Sequence, residues 1–423
     1  ICNRRCEDAC TRGTVDQAVA IDEVKRFIAQ QDLDAATRFV PEKVIPKVDG
    51  EFDQQIAIIG GGPAGLSCAY YLAEKGYRPT VFEKEQRLGG MLENGLPSFR
   101  LEKDVVQAEI DVLREMGVQF RCGVEVGKDV TIAQLRQEGF RGFYVAVGLQ
   151  SGGKLDIPGG DAQGVMAGID FMRQVNGGQC SKLAGPVVVI GGGNIAADVA
   201  RTAVRCGAES VDLYCLEGYD EMPMGAEDRS ECERDGITIH AGWGQTEIVT
   251  ENGHAAGIRF RKCLRVKDDQ GRFAPVFDDN DACEAACATV LYCIGQKVDW
   301  RQLLTGTAVT FNPNGTAQVD PVTYQTAEPD IFAGGDAVTG QKFAIDAIAA
   351  GKEGAISLHR FVQKATLTIG RNRRRFVELD KENALIPVGF DNTPRQRIGY
   401  NEALRRTFRD ERVAFTAEQV QKE

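Results

Sequence analysis

The chain has 423 residues, enough for two or three domains with well-buried cores. Its 50 basic and 61 acidic side chains give a net charge of −11, which argues against nucleic acid or an anionic membrane as partner. Three histidines leave little room for a His-rich metal site or a Ser-His-Asp mechanism, and no run reaches the ~18 apolar residues that span a bilayer.

No secretory signal is evident, and the thirteen cysteines are dispersed rather than framed as disulfides. A reducing, cytoplasmic location is therefore expected. Ile1 is not an initiator residue, so the chain is expected to be processed or to be part of a longer polypeptide.

The first chemical signal is Cys2-Asn-Arg-Arg-Cys6-Glu-Asp-Ala-Cys10. Three thiols at a regular spacing of four read as iron–sulfur or zinc ligands, with a fourth ligand to come from upstream sequence or another chain. Thr14 or Asp16 then caps an expected helix with Val19, Ile21, Val24, Phe27 and Ile28 along one face, in a segment reaching Lys47.

The run Gln55-Ile-Ala-Ile-Ile ends in Gly60-Gly61-Gly62-Pro63-Ala64-Gly65 and opens a helical pattern. Gly60 permits the tight turn, Gly62 lets backbone approach a pyrophosphate, and Gly65 lets helix and strand pack closely. The helix start offers free amides and a partial positive charge to phosphates. Glu83 closes the next strand, beside Lys84, where an acid can accept from an adenosine ribose. Gly89-Gly90 adds a second close-approach loop.

A second fingerprint follows the run Pro186-Val-Val-Val-Ile, as Gly191-Gly192-Gly193-Asn194-Ile195-Ala196. The next strand, Ser210 to Cys215, leads into Leu216-Glu217. A carboxylate there repels a 2′-phosphate and accepts from a 2′-hydroxyl, which favours NADH over NADPH. The open alternative is a solvated Glu217, with Arg201 or Arg205 holding a phosphate. Cys68 and Cys180 each stand alone near the fingerprints. Cys283 and Cys287, in an acidic Ala-rich stretch, read as incidental, so a redox disulfide is not expected.

Downstream, Asp330-Ile-Phe-Ala-Gly334-Gly335-Asp336 reads as a strand entering a turn with an acid, followed by a helix over Ala344–Leu358. Asp336 can bind ribityl hydroxyls, and the helix start can stabilise negative charge. The tail holds the basic run Arg371, Arg373, Arg374, Arg375, read as solvated, and a polar helical end near Thr416–Lys422.

Gly60–Gly65, Glu83, Gly89-Gly90, the Tyr144-Val-Ala-Val-Gly148 crossover and Gly334-Gly335-Asp336 resemble, in order, the FAD-binding elements of two-dinucleotide-domain flavoproteins. The N-terminal cysteines, Ala20-Ile21, Arg26-Phe27-Ile28, Gly95-Leu96-Pro97-Ser98-Phe99-Arg100-Leu101, Gly191–Asn194, Glu221-Met222-Pro223 and Gly351-Lys352 resemble the glutamate synthase small-subunit family. That family also holds the large subunit of flavin-bifurcating transhydrogenases and the N-terminal part of dihydropyrimidine dehydrogenase. In NADPH-using relatives paired arginines stand where this chain has Leu216-Glu217.

The resemblance implies an α/β protein with two Rossmann-like domains in a glutathione reductase-like arrangement, one inserted in the other, behind a short helical iron–sulfur segment. The expected limits are 1–50 for that segment, 51–150 plus 324–363 for the FAD domain, 151–323 for the NAD(P) domain and 364–423 for an extension. FAD falls to Gly60, Gly62, Pro63, Ala64, Gly65, Glu83, Lys84, Gly89, Gly90, Gly148, Gly335 and Asp336. The nicotinamide nucleotide falls to Gly191, Gly193, Asn194, Ile195, Ala196 and Glu217, and a [4Fe–4S] cluster to Cys2, Cys6 and Cys10.

The implied function is an electron-transfer flavoprotein. Hydride passes between NADH, with NADPH the weaker expectation, and FAD with no protein general base. Electrons then move through the cluster to or from a partner subunit, in either direction. The alternatives are the small subunit of glutamate synthase itself and a non-catalytic assembly subunit.

Overall fold

The computed structural model describes residues 2–44, 52–179, 182–371, 380, 383 and 388–423. Cys180, Arg373, Arg374, Arg375 and the end of the expected 14–47 segment lie outside these. After a helical turn, α1 (Arg5–Asp8), the chain forms α2 (Ile21–Leu33). This helix begins later than the capping residues Thr14 and Asp16 suggest. Thr14 closes a 3-10 turn, its hydroxyl donating to Thr11 O, and the Asp16 carboxylate is taken by Arg12 and by the Gln17 amide.

The first unit follows: β1 (Gln55–Ile59), α3 (Pro63–Glu74), β2 (Thr80–Glu83), α4 (Met91–Asn94), α5 (Lys103–Glu115), β3 (Gln119–Cys122), α6 (Ile132–Gln137) and β4 (Phe140–Val145). A short strand, β5 (Ser151–Gly152), leads into the second unit: β6 (Val165–Ala167), α7 (Gly168–Asn176), β7 (Pro186–Ile190), α8 (Asn194–Arg205), β8 (Ser210–Cys215), α9 (Ala226–Arg234) and β9 (Thr238–Ala241). There follow β10 (Trp243–Glu251), β11 (His254–Lys267), β12 (Phe273–Ala286) and β13 (Thr289–Tyr292). The return runs through β14 (Gln296–Lys297), β15 (Ile331–Ala333), α10 (Asp336–Thr339) and α11 (Ala344–Val362), before the last helix, α12 (Ala417–Lys422).

Each unit is built on a five-stranded parallel sheet, ordered β15-β4-β1-β2-β3 and β6-β13-β7-β8-β9. Alternation along β1 splits its side chains between two cores. Ile56 and Ile58 pack against α3, α5 and α11, whereas Ala57 and Ile59 face the opposite core. β7 repeats the device: Val187 and Val189 meet α8, and Val188 and Ile190 meet the antiparallel sheet β10-β11-β12. In both sheets the strand order reverses beside the first strand, at β1/β4 and β7/β13. Such switch points are where open α/β sheets bind ligands.

The chain crosses between units twice, on β5 and β14, which pair antiparallel through Ser151↔Lys297 and Gly152↔Gln296. The return precedes the expected 323/324 limit. Leu303, Leu304 and Ala317 already pack with Ala57, Phe82 and Phe143 in the first unit. The reason is area: the face of that sheet opposite α3 needs these side chains to close its core. The tail does not stand apart either. Arg395 pairs with Glu7 at 2.6 Å, Arg26 with Asp410 at 3.1 Å, and the Glu423 carboxylate accepts from the Ala20 and Gln396 amides.

Candidate functional site: a cleft joining two glycine turns

Gly60 sits at φ +107°, and a Cβ there would come within 2.4 Å of Ala146 O on the neighbouring crossover. Its amide donates to Phe82 O, so the turn is bonded to the end of β2. A Cβ at Gly65 would lie 1.9 Å from Gly60 O, which is why α3 can start directly over β1. Gly89 donates to Gly61 O, and Gly90, at φ +55°, brings its backbone against Gly62. The two glycine loops are thus backed onto one another. Glu83 accepts from the Gly61 amide at 2.7 Å and the Glu85 amide at 2.9 Å, while burial pushes its pKa up. Lys84 donates to Gln150 Oε1.

The second turn repeats this plan. Gly191, at φ +138°, donates to Tyr214 O and approaches Cys293 O so closely that a Cβ would fall 2.9 Å away. Glu217 lies over this turn as Glu83 lies over the first, one carboxylate oxygen 2.8 Å from where a Gly192 Cβ would stand. Gly193 has open space where its Cβ would be, and Asn194 Oδ1 is buried without a partner.

One cavity of about 1820 Å³ joins both turns, above the ~300–1,000 Å³ usual for a single small-molecule site. Its wall holds Gly60, Gly62, Pro63, Ala64, Glu83, Lys84, Gly90, Gly148, Gly335 and Asp336 on one side, and Gly191, Gly193, Asn194, Ile195 and Glu217 on the other. Gly65, Gly89 and Ala196 are buried behind that wall and shape the turns rather than face the cleft. The close-approach glycines, the two carboxylates and the unpartnered Asn194 amide oxygen all suit a pair of dinucleotides. Arg201 and Arg205, the alternative phosphate anchors, do not: Arg201 is held by Asp235, Glu231 and Glu411, and Arg205 by Asp235 and Thr407 O, with both stacked on Phe99.

The three N-terminal thiols do not converge. Among the described residues no three His, Cys, Asp or Glu side chains form a group able to hold a metal ion. A spacing of four keeps one face only along a continuous helix. Here α1 ends at Asp8 and Cys10 has extended backbone, so it leaves the face of Cys6, which is exposed. Cys2 lines the cleft, its Sγ accepting from the Arg4 amide at 3.4 Å. The three thiols alone do not fit a [4Fe–4S] cluster.

Asp336 starts α10 on the cleft wall, and burial raises its pKa to about 6. A raised carboxyl pKa contributes stability at low pH that is lost as pH rises through the folded value. Asp336→Asn is therefore expected to raise the melting temperature of the FAD-free protein above pH 6. The gain should vanish as pH falls toward the ordinary 3.8. Melting curves across that range check it; a pH-independent gain would show that the charge is not the cause.

Residues 54–351 match the family model described as pyridine nucleotide-disulphide oxidoreductase. The chain belongs to this family. It is 36% identical over 389 residues to the NADP(+)-dependent formate dehydrogenase subunit beta of Moorella thermoacetica, covering 86% of this chain and 54% of that one. It is 31% identical over 364 residues to the NAD-dependent dihydropyrimidine dehydrogenase subunit PreT of Escherichia coli O157:H7, covering 85% and 79%. The chain thus spans about half the length of the first of these relatives. Among solved structures, Mycobacterium tuberculosis FprA in complex with NADPH superposes with a TM-score of 0.63 at 17% identity, over 74% of this chain and 85% of that one. Lactococcus lactis thioredoxin reductase gives 0.56 at 19%, over 74% and 100%. The resemblance read from the sequence is borne out at the level of family and fold. Among the described residues no helix is long and apolar enough to cross a membrane.

Sequence reasoning missed what lines the cleft between the turns. Arg4 reaches Glu227 on α9 at 3.0 Å, and Arg100 pairs with Asp198 on α8. No local spacing signals such pairs, because each joins segments about a hundred residues or more apart.

Proposed function

We propose that this chain is the flavin–nicotinamide unit of a larger electron-transfer oxidoreductase, taking NADH at the second turn and FAD at the first. The observation that carries this is the single cavity shared by both turns, each overlain by a carboxylate. Bound FAD would supply a two-electron carrier able to release electrons singly.

The chain's own residues do the rest. Glu83 and Glu217 accept from ribose hydroxyls, the amides at the starts of α3 and α8 meet the pyrophosphates, and Gly62 and Gly193 leave the backbone approachable. Asp336 accepts from ribityl hydroxyls. The Asn194 amide oxygen accepts from the nicotinamide nucleotide. The chain's contribution to transfer would be to hold the two rings side by side, a step that needs no proton-transferring side chain.

The relatives named as subunits support a partner protein at the far end of the electron path. A [4Fe–4S] cluster on Cys2, Cys6 and Cys10 would need ligands from outside the three. Relatives named for both NAD and NADP leave the nucleotide to Glu217, which favours NADH.

Anaerobic titration of the FAD-loaded protein tests the reading. Stoichiometric NADH is expected to bleach the flavin, at least about tenfold faster than NADPH, given the ~1.5–3 kcal/mol of a hydrogen bond to a charged group. Flavin unreduced by either nucleotide overturns the proposal.

A further inference from the structure

Among the described residues the chain passes between the two units on the two-residue strands β5 and β14. Such a ribbon leaves rotation between them soft, so something else must set their relative orientation. Residues 94–101 do so from the first unit. Asn176 Nδ2, on α7, donates to Asn94 O at 3.0 Å and Leu96 O at 2.9 Å. The Phe99 ring, 4% exposed, lies under the guanidinium groups of Arg205 at 4.0 Å and Arg201 at 4.9 Å, both on α8.

Arg100 completes the crossing. Its Nε pairs with Asp198 on α8, and Nη2 lies 2.5 Å from Asp228 and 3.8 Å from Glu231, both on α9. Its own carbonyl accepts from Arg412 Nη2 at 3.3 Å, and the adjoining loop is pinned by Lys103 Nζ donating to Leu92 O and Leu96 O. Asp198 lies one turn beyond Asn194, on the helix that carries the second glycine turn. Arg100 and Asp198 also both line the shared cleft.

We infer that Arg100 is a positioning residue, fixing α8 and its glycine turn against the first turn so that the two bound rings meet without rotation of one unit on the other. The inference rests on the hydride-transfer reading above. A planar guanidinium held by carboxylates on two helices fixes direction as well as distance, which a hydrophobic contact would not. Transfer between rings is steep in separation, and a misplacement of about 1 Å costs on the order of a hundredfold.

The test is Arg100→Met in the full chain with FAD bound. Flavin reduction at saturating NADH is expected to slow about a hundredfold, with FAD retained and the NADH dissociation constant within about threefold. Arg100→Lys should recover part of the rate, since an ammonium lacks the fork that reaches both helices. In the FAD-free protein, amide exchange should quicken together in residues 94–101 and 226–234 while β1 and β7 stay protected.

A rate within threefold of wild type overturns the inference. So does a slowed rate matched by an equal rise in the dissociation constant, which would make Arg100 a nucleotide contact. If Arg100→Met fails to fold, Asp228→Asn decides by the same two measurements. A wild-type flavin that neither nucleotide reduces sinks the functional reading instead, before the variant is reached.

Discussion

Glu217→Arg is expected to invert the nucleotide preference, weakening NADH by about 10- to 100-fold and letting NADPH reduce the flavin at a comparable rate. The carboxylate follows β8 and lies against Gly192, the position that Glu83 holds over Gly61 in the first unit. There it would accept from a ribose hydroxyl in the proposed reading, a charge-assisted bond of ~1.5–3 kcal/mol. It would also repel a 2′-phosphate. Replacing it by a guanidinium removes the acceptor and supplies a fork that matches phosphate geometry. The side chain is half-buried at the cleft wall, so the change should leave the fold intact. Steady-state kinetics with both nucleotides check it. NADH turnover unchanged, with no gain of NADPH, would remove Glu217 from the site.

The alternative anchors sharpen that expectation. Arg201 and Arg205 belong to a buried ion network with Asp235, Glu231 and Glu411, and neither lines the cleft. Their guanidinium groups serve the contact with Phe99 and the tail.

What the sequence made legible is what short-range chemistry determines. Both glycine turns, the strands before them, Glu83 and Glu217 can be read because each lies within about thirty residues of the backbone it serves, whereas Asp336 and the helix from Ala344 are legible only as a local strand–turn–helix pattern, since the backbone they meet, at Ala64, is far upstream. The parallel sheets follow from β-branched runs alternating with helical patterns. Whatever depends on long-range company was hidden. Leu303 and Leu304 return to the first core because a distant sheet face is bare, and nothing in their own segment says so. Asp16 looks like a helix cap until Arg12 takes its carboxylate. The regular spacing of Cys2, Cys6 and Cys10 suggests one ligand set, but α1 holds only Cys6: Arg4 is left-handed before it and Cys10 is extended after it. Arg100 stands in the segment 95–101, and nothing there points to its partners on α8 and α9.

Gly65→Ala should abolish FAD binding outright and destabilise the first unit by at least about 1–3 kcal/mol, the usual range for overpacking. The added Cβ would fall 1.9 Å from Gly60 O and 3.2 Å from the Ile58 side chain. The first of these is backbone, so no rotamer change relieves it. Gly60 cannot retreat, because its amide is bonded to Phe82 O and it already touches Ala146 O. The helix must therefore lift off β1, which carries the start of α3 away from the pyrophosphate position. Lifting α3 also disturbs its crossing with α11, where a Gly351 Cβ would stand only 2.2 Å from Ala64 O. Purified Gly65→Ala protein should be colourless, with a lowered melting temperature and no flavin recovered on adding FAD. The second turn has an internal control: its equivalent residue is already alanine, Ala196, whose Cβ packs in the core, and Gly191 stands at φ +138° rather than +107°. A yellow Gly65→Ala protein would mean that the first turn tolerates alanine as the second does, and that Gly65 does not set its closeness.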